Sequence, residues 1–312
     1  MSEGRRFRLI GYLCALGAGA TWGTTGPLST ALYREGQAIT GIGFWRLVLG
    51  TAALALWALF FRRDLFRIDR QGVLLMGLFG GFLVALFEVA YQFGIAGAGV
   101  AGAAALLYTA PVMVALVAKP LLGERLTPLR FGLAVAVMVG AAMTVMGKRE
   151  GAGSDVAMPS VLVGVVGGLL SAVSYATTTV LARWAVPRYG QFRMLFWEAI
   201  GGVVLLAVIL PLSGHTPLPP PTAAGWIYAF ALAAGGVIVA NLLFFTAVRR
   251  IEATPTAVAA TIEPVVGALL ALLLFNQQLM WLGWVGLLLV VGGVAGGYLK
   301  EGAAEPTPHP PT

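Results

Sequence analysis

Residues 105–127 have the sequence ALLYTAPVMVALVAKPLLGERLT, an apolar segment that is interrupted by Pro111 and ends at Gly123-Glu124-Arg125. Residues 258–280 repeat this pattern as VAATIEPVVGALLALLLFNQQLM, with Pro264 in the place of Pro111. The same spacing aligns much of the remaining chain. Because internal repeats of apolar segments are typical of membrane transporters, we predict a duplicated membrane unit.

The composition indicates a protein that lies in a lipid bilayer. Of its 312 residues, 59% are hydrophobic and 42 are glycine, whereas only 11% are charged. Soluble domains contain roughly 25% charged residues, so a soluble fold would have too few polar residues for its surface. The net charge of +7 is distributed between apolar segments rather than in a basic patch with aromatic residues. We therefore expect no nucleic-acid partner.

Cysteine and histidine are too few for the usual disulfide or metal chemistry. The single cysteine, Cys14, lies in an apolar segment, while His215 and His309 lie in a Pro-rich loop and in the C-terminal tail. An intramembrane enzyme would need metal ligands or a nucleophile–base pair within the bilayer, and neither histidine is placed there. We expect neither an enzyme nor a cofactor.

Ten segments are long and apolar enough to cross a membrane, since a spanning helix needs about 20 mostly apolar residues. They are residues 9–32, 41–61, 71–94, 98–118, 128–147, 160–183, 192–212, 223–247, 254–275 and 280–299. Lysine and arginine are concentrated on one side, which predicts that both termini are cytoplasmic. Because each repeat holds an odd number of helices, the two copies must cross in opposite senses. The predicted fold is an all-α integral membrane protein with two inverted five-helix repeats.

The predicted organisation consists of two repeats with short flanking and linking segments. They are a cytoplasmic N-terminus (1–8), a first repeat (9–147), a linker (148–159), a second repeat (160–299) and a disordered cytoplasmic tail (300–312). Inverted repeats favour a substrate site near the membrane midplane and transport by alternating access. A membrane scaffold with the same topology is the alternative.

Two sequence features concern the packing and motion of the helices. Pro111 and Pro264 each remove a backbone donor in mid-helix and free a carbonyl one turn earlier, which a neighbour, water or substrate must satisfy. Their equivalent positions favour paired hinges beside a cavity, with static kinks as the alternative. A four-residue stripe of small side chains is interpreted as helix packing; it consists of Gly11, Ala15, Gly19 and Gly23.

Four ionisable residues lie within the predicted spans, namely Arg46, Glu88, Glu198 and Glu263. Burying such a group at the bilayer centre costs about 2.5 to 3.5 kcal/mol, so each should face protein or water. Glu263 falls near the midplane, where it is predicted to be a protonatable coupling group or a counter-charge for a substrate ammonium. A hydrogen bond to a neighbouring helix is its alternative role. Arg46 and Glu198 lie nearer their helix ends, which favours snorkelling to the interface.

Further candidates for a cavity are paired between the halves. Glu88 has Asn241 at the equivalent position, so a polar residue occurs there in both halves. The aromatic candidates are Trp22 with its copy Tyr175, Tyr91 with its copy Phe244, and Tyr108. Trp22 and Tyr108 lie too deep for an interfacial aromatic belt. We therefore predict an aromatic cavity that accepts apolar or cationic groups.

Three motifs are similar to those of a known family: Ala20-Thr21-Trp22-Gly23, Phe44-Trp45-Arg46, and Pro111 with Leu122-Gly123-Glu124-Arg125-Leu126. With the inverted repeat, they resemble the EamA-type branch of the drug/metabolite transporter superfamily, and most closely the YddG-like exporters of aromatic and other amino acids. The second half has Asn276-Gln277-Gln278 in the place of Gly123-Glu124-Arg125. This departure limits the expected role of Glu124 to capping its own helix end.

The resemblance implies an exporter in the bacterial inner membrane with a central cavity between its halves. The implied substrate-binding residues are Trp22, Glu88, Tyr91, Tyr108, Tyr175, Asn241, Phe244 and Glu263, with Pro111 and Pro264 as hinges. We expect a monomer that exports aromatic and other neutral amino acids, with protons as a candidate coupling ion. The alternatives are export of other small metabolites or drugs, and a non-carrier channel or scaffold. Sugar-phosphate transport ranks lower, because no Lys or Arg is placed securely at mid-membrane.

Overall fold

The computed structural model describes residues 3–124, 126–146, 161–275 and 280–301. Every regular element in these ranges is helical. The predicted linker at 148–159, the Asn276-Gln277-Gln278 segment and the tail beyond Glu301 lie outside the described residues. The all-helical class predicted from the apolar segments is confirmed.

The helices of the first half are α1 (Glu3–Gly23), α2 (Thr25–Arg34), α3 (Ile39–Phe61), α4 (Arg70–Gly72), α5 (Gly81–Leu107), α6 (Ala110–Leu122) and α7 (Pro128–Met146). A short 3₁₀ helix, Arg63–Phe66, follows α3. A π-helical segment, Val73–Gly80, joins α4 to α5.

The helices of the second half are α8 (Val161–Tyr189), α9 (Gln191–Leu212), α10 (Ala223–Leu232), α11 (Ala240–Arg250), α12 (Ala253–Ala260), α13 (Glu263–Phe275) and α14 (Trp281–Glu301). Here a π-helical segment, Ala233–Val239, joins α10 to α11. The main helix contacts pair α5 with α8, α7 with α14, and α1 with α11.

Seven helical segments in the described part of the chain are long and apolar enough to cross a membrane. They are Thr40–Phe61, Arg70–Tyr91, Ala103–Leu122, Leu162–Tyr189, Gln191–Leu212, Ala223–Arg250 and Ala253–Leu270. Two shorter apolar helices, Pro128–Thr144 and Trp281–Gly297, accompany them. Each of the ten predicted spans overlaps a helix of the structure, while the count of ten crossings and the cytoplasmic termini remain predictions.

The boundary between the third and fourth predicted spans falls inside a helix. The backbone is helical throughout α5, yet a Cβ built on Gly94 would lie 3.2 Å from the Cβ of Ala103. Nine residues of straight helix would separate these positions by about 13 Å. The chain therefore bends back on itself within α5, in a stretch where the sequence is almost entirely glycine and alanine.

The two halves contain a helix break at equivalent positions. In the first half, α5 ends at Leu107 and α6 begins at Ala110. In the second half, α12 ends at Ala260 and α13 begins at Glu263, and each of these residues lies 153 positions after its counterpart. The repeat found in the sequence therefore extends to the backbone geometry at the segments that contain the two prolines.

The prolines lie just after these breaks rather than inside a kinked helix. Tyr108 (φ −72°, ψ 4°) and Thr261 (φ −70°, ψ 13°) leave helical geometry in the same way. Pro111 and Pro264 are each the second residue of the helix that follows, where a missing N–H removes no intrahelical hydrogen bond. The predicted mid-helix kinks are thus complete breaks, and their service as hinges stays a prediction.

Small residues of α1 hold this helix against the break between α12 and α13. A Cβ built on Gly19 would overlap the carbonyl oxygen of Ala260, and one on Gly23 would lie 2.8 Å from the carbonyl oxygen of Glu263. No larger side chain fits at either place without displacing backbone. The stripe of small residues therefore allows the close helix approach that lipid itself does not drive.

Candidate substrate-binding site

Three of the predicted site residues form an aromatic triad where α1, α8 and α11 meet. The ring centroid of Trp22 lies 6.1 Å from that of Tyr175 and 5.3 Å from that of Phe244. The centroids of Tyr175 and Phe244 are 5.7 Å apart. Phe244 is buried, whereas Trp22 and Tyr175 keep accessible surface. Edge-to-face and tilted pairs of this kind contribute about 0.5 to 1.5 kcal/mol each beyond burial. The triad joins residues of both halves, while its role in a substrate cavity stays a prediction.

Asn241 lies beside this triad, but its amide serves the backbone. Its Nδ2 donates to the carbonyl oxygens of Val237 at 2.8 Å and Gly236 at 3.2 Å. The indole Nε1 of Trp22 donates to the same Gly236 oxygen at 3.0 Å. Asn241 therefore stabilises the π-helical segment next to Trp22. The equivalent positions of Asn241 and Glu88 in the repeat thus have different roles in the structure.

Arg46 and Glu88 form a salt bridge between α3 and α5, in which Nη2 of Arg46 donates to Oε1 of Glu88. The Arg46 side chain is 23% exposed and that of Glu88 is 12% exposed. Arg46 also lies within electrostatic range of Tyr91 and Glu263. Glu88 and Tyr91 belong to α5, and Glu263 belongs to α13. We call Arg46, Glu88, Tyr91 and Glu263 the ionic cluster.

Glu263 connects the ionic cluster to the helix breaks and to the triad. It is the first residue of α13, where an acidic side chain is favoured by the helix dipole. Tyr108, at the other break, and Tyr175, in the triad, both lie within electrostatic range of its carboxyl group. Tyr91 stacks on Phe87 with centroids 5.7 Å apart and ring planes 10° apart. Glu263 is therefore an electrostatic neighbour of both the triad and the ionic cluster.

Arg46 is a candidate site residue that the sequence analysis left out of the predicted site. Snorkelling was the favoured interpretation, and it is wrong, because the guanidinium pairs with Glu88 inside the bundle. The sequence feature that could have predicted this pair is a basic and an acidic residue at similar depth on consecutive spans. Arg46 also supplies a cationic group inside the bundle, whereas the sequence analysis placed no Lys or Arg securely at mid-membrane.

Glu198 does not snorkel either. It is 4% exposed, and its Oε2 has no hydrogen-bond partner among the described residues. A Cβ built on Gly80 would lie 3.3 Å from the Cβ of Glu198, so the first methylene of this side chain packs on the π-helical segment. An ionised carboxylate without a partner is too costly in such a place. Glu198 is therefore a buried acid, and the interfacial snorkelling that its position in the sequence favoured is wrong.

At the predicted cytoplasmic end, Glu124 connects the two halves. Helix α6 ends at Leu122, followed by Gly123 in the left-handed conformation (φ 69°). The Glu124 carboxylate accepts hydrogen bonds from the N–H of Ala253 at 2.6 Å, and from the N–H and Oγ1 of Thr254 at 3.2 and 3.0 Å. Burial raises the pKa of Glu124, while the Ala253 N–H opposes that rise. The expectation that Glu124 caps its own helix is wrong, because it caps α12.

Two further contacts lie at this end, one between the halves and one between helices of the second half. Arg130, in α7, forms a salt bridge with Glu252, which precedes α12. Nη1 of Arg183 donates to the carbonyl oxygens of Val248 at 2.5 Å and Ile251 at 3.0 Å. With Glu124, these contacts fix both ends of the short connection between α11 and α12.

The opposite end of the bundle is joined through loops. Nε1 of Trp45 donates to the carbonyl oxygen of Pro217 at 2.9 Å, and Nε2 of Gln37 donates to that of Leu218 at 2.6 Å. Thr222 Oγ1 donates to Oε2 of Glu35 at 2.7 Å. Contacts between the halves are therefore present at both ends of the bundle.

An apolar groove of about 340 Å³ between α1 and α14 contains no residue of the ionic cluster or the triad. Its lining is Leu9, Tyr12, Leu13, Leu16, Ile262, Val291, Val294 and Ala295. None of these side chains is charged, so the groove offers nothing to recognise a polar solute.

Comparison with known proteins identifies the family. The model of the EamA-like transporter family matches residues 9–146 and, a second time, residues 162–298. The chain belongs to the EamA-like transporter family. The resemblance predicted from the three sequence motifs is confirmed at this level, while the closer likeness to YddG-like exporters stays a prediction.

Individual relatives extend over nearly the whole chain. The pseudopaline exporter CntI of Pseudomonas aeruginosa is 28% identical over 291 residues, which cover 89% of this chain and 94% of that protein. An uncharacterized transporter of Archaeoglobus fulgidus is 26% identical over 270 residues, covering 86% and 90%. A solved crystal structure has the same fold, with a TM-score of 0.78 at 20% identity over 93% of this chain and 96% of that one. The chain is therefore a multi-pass membrane transporter.

Proposed function

We propose that the protein exports amino acids, both aromatic and other neutral ones, across the bacterial inner membrane by alternating access. The observation that carries this proposal is the ionic cluster, which holds one guanidinium and two carboxyl groups inside a membrane bundle. Charged groups within a membrane mark substrate or ion pathways. A zwitterion presents one carboxylate and one ammonium, so its two charges are complementary to those of the cluster.

The aromatic triad supports the same substrate class. Trp22 and Tyr175 keep accessible surface next to Glu263, and their rings can contact an apolar or aromatic side chain. In this arrangement the substrate ammonium binds at the carboxyl groups of the ionic cluster, and the triad binds the side chain. Because stacking and burial depend little on the detailed shape of a side chain, broad specificity is expected.

The paired helix breaks support alternating access. Tyr108 and Glu263 lie at equivalent breaks in the two halves and within electrostatic range of each other. Each half can thus change the angle between two helix segments next to the substrate, with Pro111 and Pro264 at the start of the moving segments. Exchange of the conformations of the two halves then opens the site to the other side.

A second candidate function is export of pseudopaline or a metabolite similar to it. The sequence identity with the pseudopaline exporter CntI, which extends over 94% of that protein, favours it. The two candidates differ in the molecule carried and share the architecture and the direction of transport.

Export can be tested in bacteria that are loaded with phenylalanine-containing dipeptides, by following free phenylalanine in the medium. Expression of the protein should increase the rate of release, and Trp22→Ala should reduce it towards that of cells without the protein. Trp281→Ala is the matched control, because Trp281 is 71% exposed on the outside of the bundle. An unchanged release rate, with the protein present in the membrane, would exclude phenylalanine and make pseudopaline the next molecule to test.

A further inference from the structure

We propose that an exported amino acid inserts into the Arg46–Glu88 salt bridge, with its carboxylate on Arg46 and its ammonium on Glu88. This inference rests on the proposed function, since it names the groups that the same site recognises. It also assigns a substrate-binding role to Arg46, a residue that the sequence analysis left out of the site.

The first argument is that the salt bridge uses little of the guanidinium. Arginine has five N–H donors arranged for two parallel bonds to a carboxylate. Among the described residues, only Nη2 of Arg46 donates a hydrogen bond, and Oε1 of Glu88 is its acceptor. The remaining donors of Arg46 are available to a second carboxylate. A carboxylate that approaches them can form the bidentate pair that Glu88 does not form.

The second argument is access. Both side chains keep exposed surface, 23% for Arg46 and 12% for Glu88, although they lie in membrane-spanning helices. By contrast, the buried acid Glu198 is 4% exposed and has no cation beside it among the described residues. Accessible surface therefore distinguishes the Arg46–Glu88 pair from a charge that serves packing alone.

The third argument is charge balance. Displacing Glu88 from Arg46 by a carboxylate alone would leave an unpaired acid within the membrane, which is strongly unfavourable. In an α-amino acid the ammonium group lies next to the carboxylate, so the same molecule supplies a new partner for Glu88. One internal ion pair is then exchanged for two pairs with the substrate. A substrate that lacks either charge leaves one protein group without a partner.

The surrounding charged and polar groups are consistent with this arrangement. Among the described residues, Tyr91, on the same helix as Glu88, and Glu263, on α13, lie within electrostatic range of the pair. Glu263 would give the ammonium a second carboxyl group. The site therefore selects for a carboxylate at Arg46 and a cation between Glu88 and Glu263.

The test compares phenylalanine with phenylalaninamide, which keeps the ammonium and the ring but has no carboxylate. Dissociation constants are measured by calorimetry with the purified protein. Wild-type protein should bind phenylalanine roughly 10-fold or more tightly than the amide, since hydrogen bonds to charged groups have about this effect. Arg46→Gln should lose this preference, because phenylalanine then binds more weakly, whereas the amide binds at least as tightly as to the wild type, since Glu88 no longer has to leave Arg46 to pair with its ammonium. Arg62→Gln, which alters an exposed arginine, should retain the full preference.

A double variant keeps the test informative if Arg46→Gln folds poorly. Arg46→Gln with Glu88→Gln removes both charges, leaves no unpaired acid, and should show the same loss of preference for the carboxylate. If these variants weakened the binding of phenylalanine and of the amide equally, the inference would be overturned, and the salt bridge would be structural. Failure of the wild-type protein to bind or transport any amino acid would instead overturn the proposed function.

Discussion

Oε1 of Glu124 accepts a hydrogen bond from the N–H of Ala253 at 2.6 Å, which makes a residue of the first half the cap of a helix in the second. Helix α12, whose first residue is Ala253, is buried over its whole length and ends at the break before Glu263. The position of this break relative to the first half therefore depends on Glu124. Any motion that separates α12 from α6 must break this contact.

Glu124→Ala should destabilise the protein. The substitution leaves the N–H groups of Ala253 and Thr254 without their acceptor, and loss of a helix cap costs about 0.5 to 2 kcal/mol. Thermal unfolding of the purified protein measures the change, with Glu124→Gln expected to show a smaller loss because its amide oxygen still accepts. Asp64→Ala, at an exposed position, should change stability by less than about 0.5 kcal/mol. Equal melting temperatures for wild type and Glu124→Ala would contradict the capping role.

Glu198→Leu should leave the protein as stable as the wild type or make it more stable. A buried carboxyl group without a hydrogen-bond partner is costly, and an apolar side chain of similar size removes that cost. Thermal unfolding is again the measurement. Glu88→Leu is the comparison, because it leaves Arg46 without its partner and should lower the melting temperature. A clear loss of stability in Glu198→Leu would show that this acid has a partner in the membrane-embedded protein.

Gly19→Ala should destabilise the contact between α1 and the break of the second half. The added methyl group would overlap the carbonyl oxygen of Ala260, so α1 must move away from α12. Overpacking of this kind costs about 1 to 3 kcal/mol. Gly132→Ala is the matched control, since nothing lies within 4 Å of the added carbon. Replacing a helical glycine by alanine there should increase the stability of the protein by up to about 1 kcal/mol. Similar unfolding temperatures for the two variants would contradict the close packing of α1.

The sequence repeat predicted the parts of the fold that depend on spacing alone. The aligned prolines Pro111 and Pro264 located both helix breaks to within a few residues, and the pairing of Trp22 with Tyr175 placed two rings that meet in the structure. Such predictions succeed because the spacing of the repeat alone identifies equivalent positions in the two halves. The rotation of each helix about its axis does not have to be known.

Features that depend on the rotation of a helix about its axis could not be predicted. Hydropathy gives the depth of Arg46 in the membrane, but the packing of α3 against α5 decides that it faces Glu88. Long-range capping is similar: the Asn-Gln-Gln sequence in the second half suggested that Glu124 had only a local role. In the structure its partners, Ala253 and Thr254, are about 130 residues away along the chain.

Counterflow in proteoliposomes tests the central claim of an amino-acid carrier most directly. Vesicles that contain the purified protein are loaded with unlabelled phenylalanine, threonine or methionine, and entry of the labelled amino acid from outside is followed. We predict transient, saturable accumulation of label, absent from protein-free vesicles and reduced in Trp22→Ala but not in Trp281→Ala. No accumulation with folded protein, or a flux that rises linearly with concentration without saturation, would contradict an amino-acid carrier.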